Sequence, residues 1–303
     1  MVDITHKSNS LRTAVAQAIV KVSSPATIEA IHNKLVPKGD VIEVSKIAGL
    51  FAVKNTSNAI PDCHLLPIEY TSVSHTINDL TIEILVTVKT IYKTGVEVEA
   101  MHGAAVVALT MYDMLKPIDK QVEIQSVKLI EKKGGKSDVK KIDNTLNIGV
   151  IVCSDSISAG KKTDSAGKTI IEKLEKLGLS SSFYTIIPDE VLVIQNEVLN
   201  LYSQHYDLII ITGGTGLSPR DITPEAVMPL IDKRIPGIEE TIRNYGQQRT
   251  PYAMLSRSVV GFKGNTLLMA LPGSTNGAAE SIDAVFPSIL HLFKIIKGFN
   301  HNE

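Results

Sequence analysis

The chain has 303 residues, enough for about two domains, and 44% of them are hydrophobic. Its 31 basic and 32 acidic residues leave a net charge of −1, which argues against a general nucleic-acid-binding surface. The two cysteines, Cys63 and Cys153, fall in different halves, which excludes a disulfide framework and a zinc quartet. The polar start is unlike a signal peptide and no apolar run could span a bilayer, so we expect a cytoplasmic protein with no membrane partner.

The first half has the hydrophobic pattern of an α+β domain. Apolar residues alternate from Ala14 to Val22, which predicts a strand. Pro25 opens a predicted helix that runs toward Leu35, and Asp40 can cap a second helix. The second helix has an apolar stripe formed by Val41, Val44, Ile47, Ala48 and Phe51. A hairpin, a long helix and a last strand are predicted at Pro67–Thr76 with Leu80–Tyr92, Gly95–Lys116 and Gln121–Lys132. Strands on one side with helices across them predict an α+β sandwich of the ferredoxin-like type.

Polar side chains of the long helix occur where packing does not require them. Those near one helical face are Glu99, His102, Asp113 and Lys116. Asp113 and Lys116 are an acid and a base within side-chain reach, which suits proton transfer, although a solvated surface pair has the same spacing. His64, beside Cys63, is either a loop histidine or half of a metal site.

Three lysines extend the set of candidate residues. Taken singly, Lys38, Lys54 and Lys136 are ordinary surface lysines. Lys136 follows Gly134 and Gly135, however, and this context predicts a flexible clamp for a phosphate.

Several short motifs of the first half occur in the order and spacing of one family. They are Lys38-Gly39-Asp40, Ile47-Ala48-Gly49, Ile60-Pro61 with Cys63-His64, Lys93-Thr94-Gly95-Val96-Glu97-Val98-Glu99-Ala100, Tyr112-Asp113-Met114 and Gly134-Gly135-Lys136-Ser137. These motifs resemble cyclic pyranopterin monophosphate synthase, the MoaC-type enzyme of molybdenum cofactor biosynthesis. The resemblance implies a ferredoxin-like subunit, usually in a hexamer built from dimers. It also implies that a cyclised derivative of guanosine triphosphate is rearranged to cyclic pyranopterin phosphate with loss of pyrophosphate.

The same resemblance implies roles for individual residues. Asp113 and Lys116 match the general acid/base pair, and a lysine crowded by other cations has a lowered pKa that suits such work. The residues that would hold the substrate and line its pocket are Arg12, Lys38, Lys54, His64, Glu97 and Glu99. The chain departs from the family pattern at Lys46, Asn55, Leu65 and His102. None of these departures removes a proposed catalytic residue.

A charged, glycine-containing stretch follows the last strand of the first half. It has almost no large apolar side chains, which is typical of a flexible tether. We therefore predict a first domain at residues 1–137, a linker at 138–145 and a second domain at 146–303.

Strands and helices alternate in the second half. The predicted strands are Leu146–Cys153, Phe183–Ile187, Leu208–Ile211 and a hairpin of Ser256–Phe262 with Asn265–Ala270. The predicted helices are Lys168–Leu177, Val191–Tyr202, one from Pro224 with Thr223 as its N-cap, Ile238–Tyr245 and a last one from Asn276. This alternation predicts an α/β domain with a three-layer, mostly parallel sheet.

One loop carries the strongest site signal of the second half. A buried strand leads into Gly213, Gly214, Thr215 and Gly216, where a backbone with few side chains can approach a ligand closely. Such a loop, between a strand and a helix, is a typical binding site in open α/β sheets, although glycines alone are equally typical of a plain turn.

Three acidic residues, Asp155, Asp189 and Asp221, are expected at the same sheet edge because each follows a strand. Each one alone could be a turn or cap residue. Together, beside the glycine loop, they predict a Mg²⁺–nucleotide site with Asp221 as the candidate metal ligand. Ser274, in Leu-Pro-Gly-Ser at the end of another strand, completes the rim.

These motifs, with Glu280, resemble the MogA/MoaB family of molybdopterin-binding domains. The resemblance implies adenylyltransferase chemistry, in which ATP activates the pterin phosphate as an AMP adduct and pyrophosphate is released. Asp189 and Asp221 match the catalytic carboxylates, whereas Asp155, the glycine loop and Ser274 match binding elements. Mg²⁺ and the co-substrate ATP are therefore expected, and a tightly bound redox cofactor is not.

Three functional hypotheses stay open at this stage. The first is a bifunctional enzyme that carries both activities. In the second, the second domain only binds a pterin or drives oligomerisation. The third, an unrelated nucleotide-binding regulator, requires the matches of the first half to be coincidence. The expected ligands are small pterin and nucleotide substrates. Further copies of the chain are also expected as partners, in a trimer or hexamer that would match the threefold symmetry usual in both families.

Overall fold

The computed structural model describes residues 1–135 and 146–296. The chain divides into two compact units, Met1–Asp138 and Val139–Glu303. The predicted linker at 138–145 and the predicted phosphate clamp Lys136 lie outside the described residues. None of the helices in the described ranges is both long enough and apolar enough to cross a membrane.

The first unit is built on an antiparallel sheet covered by helices. Its elements are β1 (Ser10–Lys21), α1 (Pro25–His32), α2 (Val41–Lys54), α3 (Thr56–Ala59), β2 (Tyr70–Asn78), β3 (Thr81–Tyr92), α4 (Glu97–Leu115) and β4 (Glu123–Lys133). The strands lie in the order β2-β3-β1-β4, and each neighbouring pair is antiparallel. The predicted strands, hairpin and helices of this half are confirmed, with ends that differ by a few residues.

Small side chains let the helices of this unit approach closely. The alternate residues Ala14, Ala16 and Ala18 of β1 are fully buried, as are Ala100, Ala104 and Ala108 of α4. At the contact of α2 with α4, a Cβ on Gly49 would lie 2.4 Å from Val107 Cγ2, and one on Gly103 would lie 2.6 Å from Val53 Cγ2. Glycine at both positions therefore fixes how α2 lies against α4.

Two details of the prediction for this half are wrong. Helix α1 ends at His32 rather than near Leu35, because Asn33 caps it and Lys34 turns into the left-handed region with φ 56°. The predicted apolar stripe of α2 is wrong in three of its five members: Val41 is buried, but Val44, Ile47 and Phe51 are 41%, 51% and 64% exposed. The buried face consists of the smaller or β-branched residues Val41, Ser45, Gly49, Ala52 and Val53. Close contact with α4 requires small side chains there, which leaves the larger apolar ones facing outward.

The second unit is an α/β domain. Its elements are β5 (Ile148–Cys153), α5 (Asp155–Ser158), α6 (Ala166–Lys176), β6 (Ser181–Ile187), α7 (Val191–Ser203), β7 (Leu208–Thr212), α8 (Thr223–Val227), β8 (Lys233–Arg234), α9 (Pro236–Gln247), β9 (Val259–Lys263), β10 (Thr266–Leu271), α10 (Thr275–Val285) and α11 (Leu292–Ile296). The strands lie in the order β6-β5-β7-β10-β9-β8. The first four are mutually parallel, β9 is antiparallel to β10, and β8 is antiparallel to β9, so the predicted mostly parallel sheet is confirmed.

Helices cover both faces of this sheet. Along β7, Leu208 and Ile210 belong to the apolar cluster that contains residues of α6, α9 and α10. Ile209 and Ile211 belong to the opposite cluster, which contains residues of α7 and α8. A strand with both faces buried needs a continuous apolar run, which explains the composition of β7. The predicted N-cap Thr223 is wrong by one residue, because Ile222 holds that position and α8 begins at Thr223.

Candidate active sites

Two lysines and one carboxylate form the first candidate site, called here the Asp113 group: Lys38, Asp113 and Lys116. Lys38 lies just before α2, Asp113 in the last turn of α4, and Lys116 directly after α4. Lys38 Nζ donates to Asp113 Oδ2 at 2.6 Å, and Lys116 Nζ lies 2.7 Å from Oδ1. The three side chains are between 40% and 52% exposed, so a ligand can reach all of them.

The charges of this group set its protonation. Hydrogen bonds from Lys116 and then Lys38 lower the pKa of Asp113 to about 2. The hydrogen bond and the charge of Asp113 raise the pKa of Lys116 above its usual value. The expectation of a lowered lysine pKa is therefore wrong in this arrangement, because a carboxylate rather than another cation lies against Lys116. At neutral pH, Asp113 is ionised and Lys116 carries a proton.

A buried carboxyl group lies toward the other end of α4. Glu99 is 2% exposed, and its Oε1 accepts a hydrogen bond from Cys63 Sγ at 3.1 Å. Its second oxygen, Oε2, is buried without a hydrogen-bond partner among the described residues. Burial raises the pKa of Glu99, and burial together with Glu99 raises the pKa of Cys63 to about 12. The Cys63 thiol therefore stays protonated and serves as a donor, not as a nucleophile.

The remaining predicted residues of this domain have varied environments. His64 Nε2 lies 2.9 Å from the Val2 carbonyl oxygen, so the N-terminal segment covers this ring nitrogen. His102, one of the departures from the family pattern, contacts Thr56 Oγ1 through Nδ1 at 3.1 Å. Lys54 is exposed at the end of α2.

A cationic cavity of about 140 Å³, called here the Arg12 cavity, lies at the start of α4. Among the described residues, five basic side chains line it against one acidic one; these are Lys7, Arg12, Lys93, Lys132, Lys133 and Glu97. The Arg12 guanidinium is held by the carbonyl oxygens of Tyr92, Lys93 and Gly134. Burial works to raise the pKa of Glu97, but the Lys132 ammonium at 2.6 Å, a backbone hydrogen bond and the charge of Arg12 together outweigh it, and the net shift is downward. Lys93, Lys132 and Lys133 were missed by the sequence analysis, although Lys93 lies inside a quoted motif.

The structure does not bring all these residues into one cavity of a single chain. An α-helix rises about 1.5 Å per residue, so Glu97 and Asp113 are about 24 Å apart along α4. The Arg12 cavity and the Asp113 group therefore lie at opposite ends of this helix. Glu99 shares its helical face with Asp113, as predicted, but lies about 21 Å away along the axis.

The glycine loop of the second unit is shaped by close backbone contacts. Gly213 and Gly214 have φ values of 108° and 59°, a region that side chains rarely adopt. A Cβ on Gly213 would lie 2.1 Å from the Cys153 carbonyl oxygen, and one on Gly214 would lie 2.5 Å from Thr223 Oγ1. Glycine is thus required at both positions to bring the end of β7 against the end of β5.

The three predicted aspartates meet beside this loop. The backbone N–H of Asp155 donates to Asp189 Oδ2 at 3.1 Å, and that of Asp189 donates to Asp155 Oδ1 at 3.1 Å. Arg220 forms an ion pair with Asp155. Asp221 caps its own turn, since its Oδ2 accepts from the Ser218 N–H at 2.8 Å. A Cβ on Gly216 would lie 2.9 Å from this same oxygen, so the loop and Asp221 are in direct contact.

Asp189 has an oxygen suited to a cation. Burial raises its pKa, and the charges of Asp155 and Asp221 raise it further. Its Oδ1 is buried and has no hydrogen-bond partner within the described ranges. A set of three side chains preformed to hold a metal ion is absent from the described residues. Mg²⁺ is usually held by one or two carboxylates together with substrate phosphates and water, and Asp189 with Asp221 fits that requirement.

A cavity of about 540 Å³ opens beside the glycine loop. One wall is formed by Thr215, Gly216 and the Pro272–Ser274 turn, and another by the first turns of α10. Ser274 Oγ caps α10 by accepting from the Gly277 N–H at 3.2 Å. The third wall consists of α9 and residues after it, including Arg243, Arg249 and Tyr252, which the sequence analysis missed. A volume of this size suits a small organic ligand.

Arg257 holds the glycine loop from outside and was also missed. Its Nε donates to the Gly216 carbonyl oxygen at 2.7 Å, and its other nitrogens bind the Asp221 carbonyl oxygen and Glu225. Its backbone N–H donates to the Thr215 carbonyl oxygen at 3.1 Å. Arg257 lies just before β9, far along the chain from the loop, so no local sequence signal indicates this role.

Comparison with known proteins agrees with this division into two units. The profile of the MoaC family matches residues 1–135, and that of a family described as a probable molybdopterin binding domain matches residues 149–291. The molybdenum cofactor biosynthesis bifunctional protein of Chlorobaculum tepidum is 40% identical over 301 residues, 99% of this chain and 96% of that protein. The cyclic pyranopterin monophosphate synthase of Clostridium perfringens strain SM101 is 45% identical over 139 residues, 45% of this chain and 87% of that protein. The molybdopterin biosynthesis enzyme MoaB of Thermus thermophilus is 39% identical, covering 51% of this chain and 98% of the solved one, with a TM-score of 0.48.

The fold defines a two-domain protein, an antiparallel α+β unit followed by an α/β unit, with a separate cavity in each. Two bifunctional relatives match this chain over nearly its full length, so they contain both units in the same order. The chain belongs to the family of molybdenum cofactor biosynthesis bifunctional proteins.

Proposed function

We propose that the first domain is a cyclic pyranopterin monophosphate synthase, a lyase that converts the cyclised guanosine triphosphate derivative to cyclic pyranopterin monophosphate and pyrophosphate. The observation that carries this proposal is the Asp113 group, in which one carboxylate bridges two accessible lysines. The strand order β2-β3-β1-β4 in a βαββαβ chain supports a ferredoxin-like domain.

The protonation of the Asp113 group suggests a division of roles. Lys116 carries a proton and is the general acid, and ionised Asp113 orients it and balances its charge. Lys38 supplies a second cation for negative charge that develops on the substrate. The Arg12 cavity, with its excess of basic side chains, is the proposed site for the phosphates and for the pyrophosphate that leaves.

We infer that one complete site requires two copies of the chain. A substrate held in the Arg12 cavity cannot also reach the Asp113 group of the same copy, because the length of α4 separates them. The exposed apolar stripe of α2, Val44, Ile47 and Phe51, offers a surface for a second copy, since such stripes are rarely left in water. A closed homo-oligomer, a trimer or a hexamer, would supply both halves of the site.

The second domain is proposed to be a molybdopterin adenylyltransferase. The aspartates and the glycine loop lie at the carboxyl ends of parallel strands, which is the usual ligand position in open α/β sheets. Asp189 and Asp221 would hold Mg²⁺ against the phosphates of ATP, and the metal would supply charge stabilisation there. The chain's own contribution is to hold these carboxylates through the Asp155–Asp189 pairing and the Arg257 contacts.

A second candidate function for this domain is pterin binding without adenylation. The 540 Å³ cavity lies beside the glycine loop and would serve a binding module equally well. The free thiols of Cys63 and Cys153 agree with action in the reducing cytoplasm, which we propose for both activities.

The direct test gives the purified chain each substrate separately. With the cyclised guanosine triphosphate derivative, we expect cyclic pyranopterin monophosphate and an equal amount of pyrophosphate, both measured by chromatography. With molybdopterin, ATP and Mg²⁺, we expect the AMP–pterin adduct. Pterin binding with no adduct under any of these conditions would favour the binding module, and failure to form the first product would contradict the assignment of the first domain.

The proposed oligomer gives a second prediction. Light scattering on the intact chain should give the mass of a trimer or a hexamer, and Phe51→Glu should lower that mass because it places a charge in the apolar stripe. Leu35→Glu is the matched control, since Leu35 is 71% exposed and lies outside the stripe. A monomeric parent chain, or a Phe51→Glu variant with unchanged mass, would contradict a subunit interface on α2.

A further inference from the structure

One carboxylate faces the cavity of the second domain without a partner among the described residues. Glu280 lies on α10 and is the single acidic residue among the described ones that line the 540 Å³ cavity. Neither a hydrogen bond nor an ion pair joins its side chain to another described residue. The neighbouring carboxylate on the same helix, Asp283, is already bound by Lys173 Nζ at 2.7 Å, so of these two only Glu280 is available to a ligand.

The surroundings of Glu280 leave its carboxylate open on the cavity side. Gly246 of α9 lies next to it: a Cβ built there would be 2.7 Å from Ala253 Cβ but 3.8 Å, an ordinary contact distance, from Glu280 Oε2, so α9 neither bonds to the carboxylate nor crowds it. Burial raises the pKa of Glu280, the charge of Arg249 lowers it and that of Asp283 raises it. A partly desolvated carboxylate without donors is unfavourable, and a ligand that brings donors removes this cost.

The geometry of a carboxylate restricts which ligands can bring those donors. Its two oxygens accept two parallel hydrogen bonds from a group that presents two neighbouring N–H donors. A pterin has such an edge, because its 2-amino group lies beside the ring N3–H. Replacing the 2-amino group by a carbonyl, as in lumazine, would place the carbonyl oxygen, an acceptor, against a carboxylate oxygen, which is also an acceptor. Against a carboxylate, that arrangement is repulsive.

We propose that Glu280 is the specificity-determining residue of this cavity and selects 2-aminopteridines by accepting two hydrogen bonds from their 2-amino and N3–H groups. The proposal rests on the proposed function of the second domain and adds the orientation of its ligand. With the ring edge at Glu280, the substituent that carries the phosphate extends along the same cavity toward two other lining residues, Ser274 at the start of α10 and Gly216 of the glycine loop. The phosphate end is then next to the glycine loop, against which Asp189 and Asp221 lie at Gly214 and Gly216.

The test compares pterin with lumazine, two fluorescent rings that differ at the 2-position, as ligands of the full-length chain. The parent chain should bind pterin at least about tenfold more tightly than lumazine, because a polar site discriminates strongly against a ligand that leaves its groups unpaired. Glu280→Gln has nearly the same shape but presents one acceptor and one donor, which matches the lumazine edge. This variant should lose the preference for pterin or reverse it.

Controls separate this inference from the proposed function and from misfolding. Glu240→Gln, an exposed residue of α9 that does not line the cavity, should keep the parent preference. The melting temperature of Glu280→Gln should equal that of the parent chain, because no ion pair within the described ranges is lost. An unchanged pterin-to-lumazine ratio in Glu280→Gln would overturn the role of Glu280 while leaving pterin binding intact. Failure of the parent chain to bind either ring would instead overturn the pterin site itself, and the inference with it.

Discussion

Asp113→Asn should reduce the formation of cyclic pyranopterin monophosphate by about 10³-fold, within the range that a positioned acid–base group contributes. The amide keeps the shape of the side chain but removes the charge that holds Lys38 and Lys116 at 2.6 and 2.7 Å. Without it, Lys116 loses the interaction that raises its pKa, and the two ammonium groups repel each other. The measurement is the initial rate of product formation at saturating substrate, with the circular dichroism spectrum as a check of folding.

The control for this variant is Asp79→Asn. Asp79 is exposed in the β2–β3 turn with φ 48°, a conformation that asparagine also adopts, so the parent rate is expected. Mixed oligomers add a test of the shared site: Asp113→Asn alters the Asp113 group and Lys132→Met the Arg12 cavity, so the two variants refolded together should be more active than either one alone. A near-parental rate in Asp113→Asn would show that the Asp113 group is a surface ion-pair cluster. The absence of regained activity in the mixture would contradict a site built from two copies.

Asp221→Asn should reduce formation of the AMP–pterin adduct by at least about 10²-fold while leaving pterin affinity within a fewfold of the parent. Asparagine retains an oxygen that can accept from the Ser218 N–H, so the turn is preserved, but a negative charge beside Asp189 is lost. Charge stabilisation by a bound cation contributes several kcal/mol, and weakening its site removes much of that contribution. Adduct formation and pterin binding are measured on the same preparation, with Glu240→Gln as the control.

The pH dependence of adduct formation provides an independent test of the same site. Burial and the charges of Asp155 and Asp221 raise the pKa of Asp189, so protons compete with Mg²⁺ for this carboxylate as the pH falls. Asp221→Asn removes one of the charges that raise the pKa of Asp189, so this pKa should fall. The pH at which protons begin to displace Mg²⁺, seen as a rise in the Mg²⁺ concentration needed for adduct formation, should therefore be lower in Asp221→Asn than in the parent chain. Parental adduct formation in Asp221→Asn would exclude Asp221 from the site. Loss of pterin binding together with adduct formation would indicate that the loop had collapsed.

Much of the architecture was accessible from local patterns. Alternating apolar residues located β1, the continuous Leu208–Ile211 run located β7, and the polar Asp40 located the start of α2. Strand alternation and helix capping depend only on residues that are close along the chain, so these signals predict the local structure without knowledge of the fold. The packed face of α2 was predicted wrongly in part, because which side packs depends on Gly103 and Val107 of α4, and periodicity within α2 contains no information about them.

The amino-acid sequence by itself determined the two-domain plan, the order of strands and helices, and the identity of the chemical groups, because these follow from short-range pattern and from motifs. Only the tertiary structure decided which groups meet. It paired Asp113 with Lys38, which lies 75 positions earlier, and separated both from the Arg12 cavity by the length of α4. It also brought Arg257 to the glycine loop and left Glu280 facing the second cavity with no partner in the described part of the chain. Side-chain charges, exposure and pKa shifts depend on such distant neighbours, which is why they emerge only when the chain is folded.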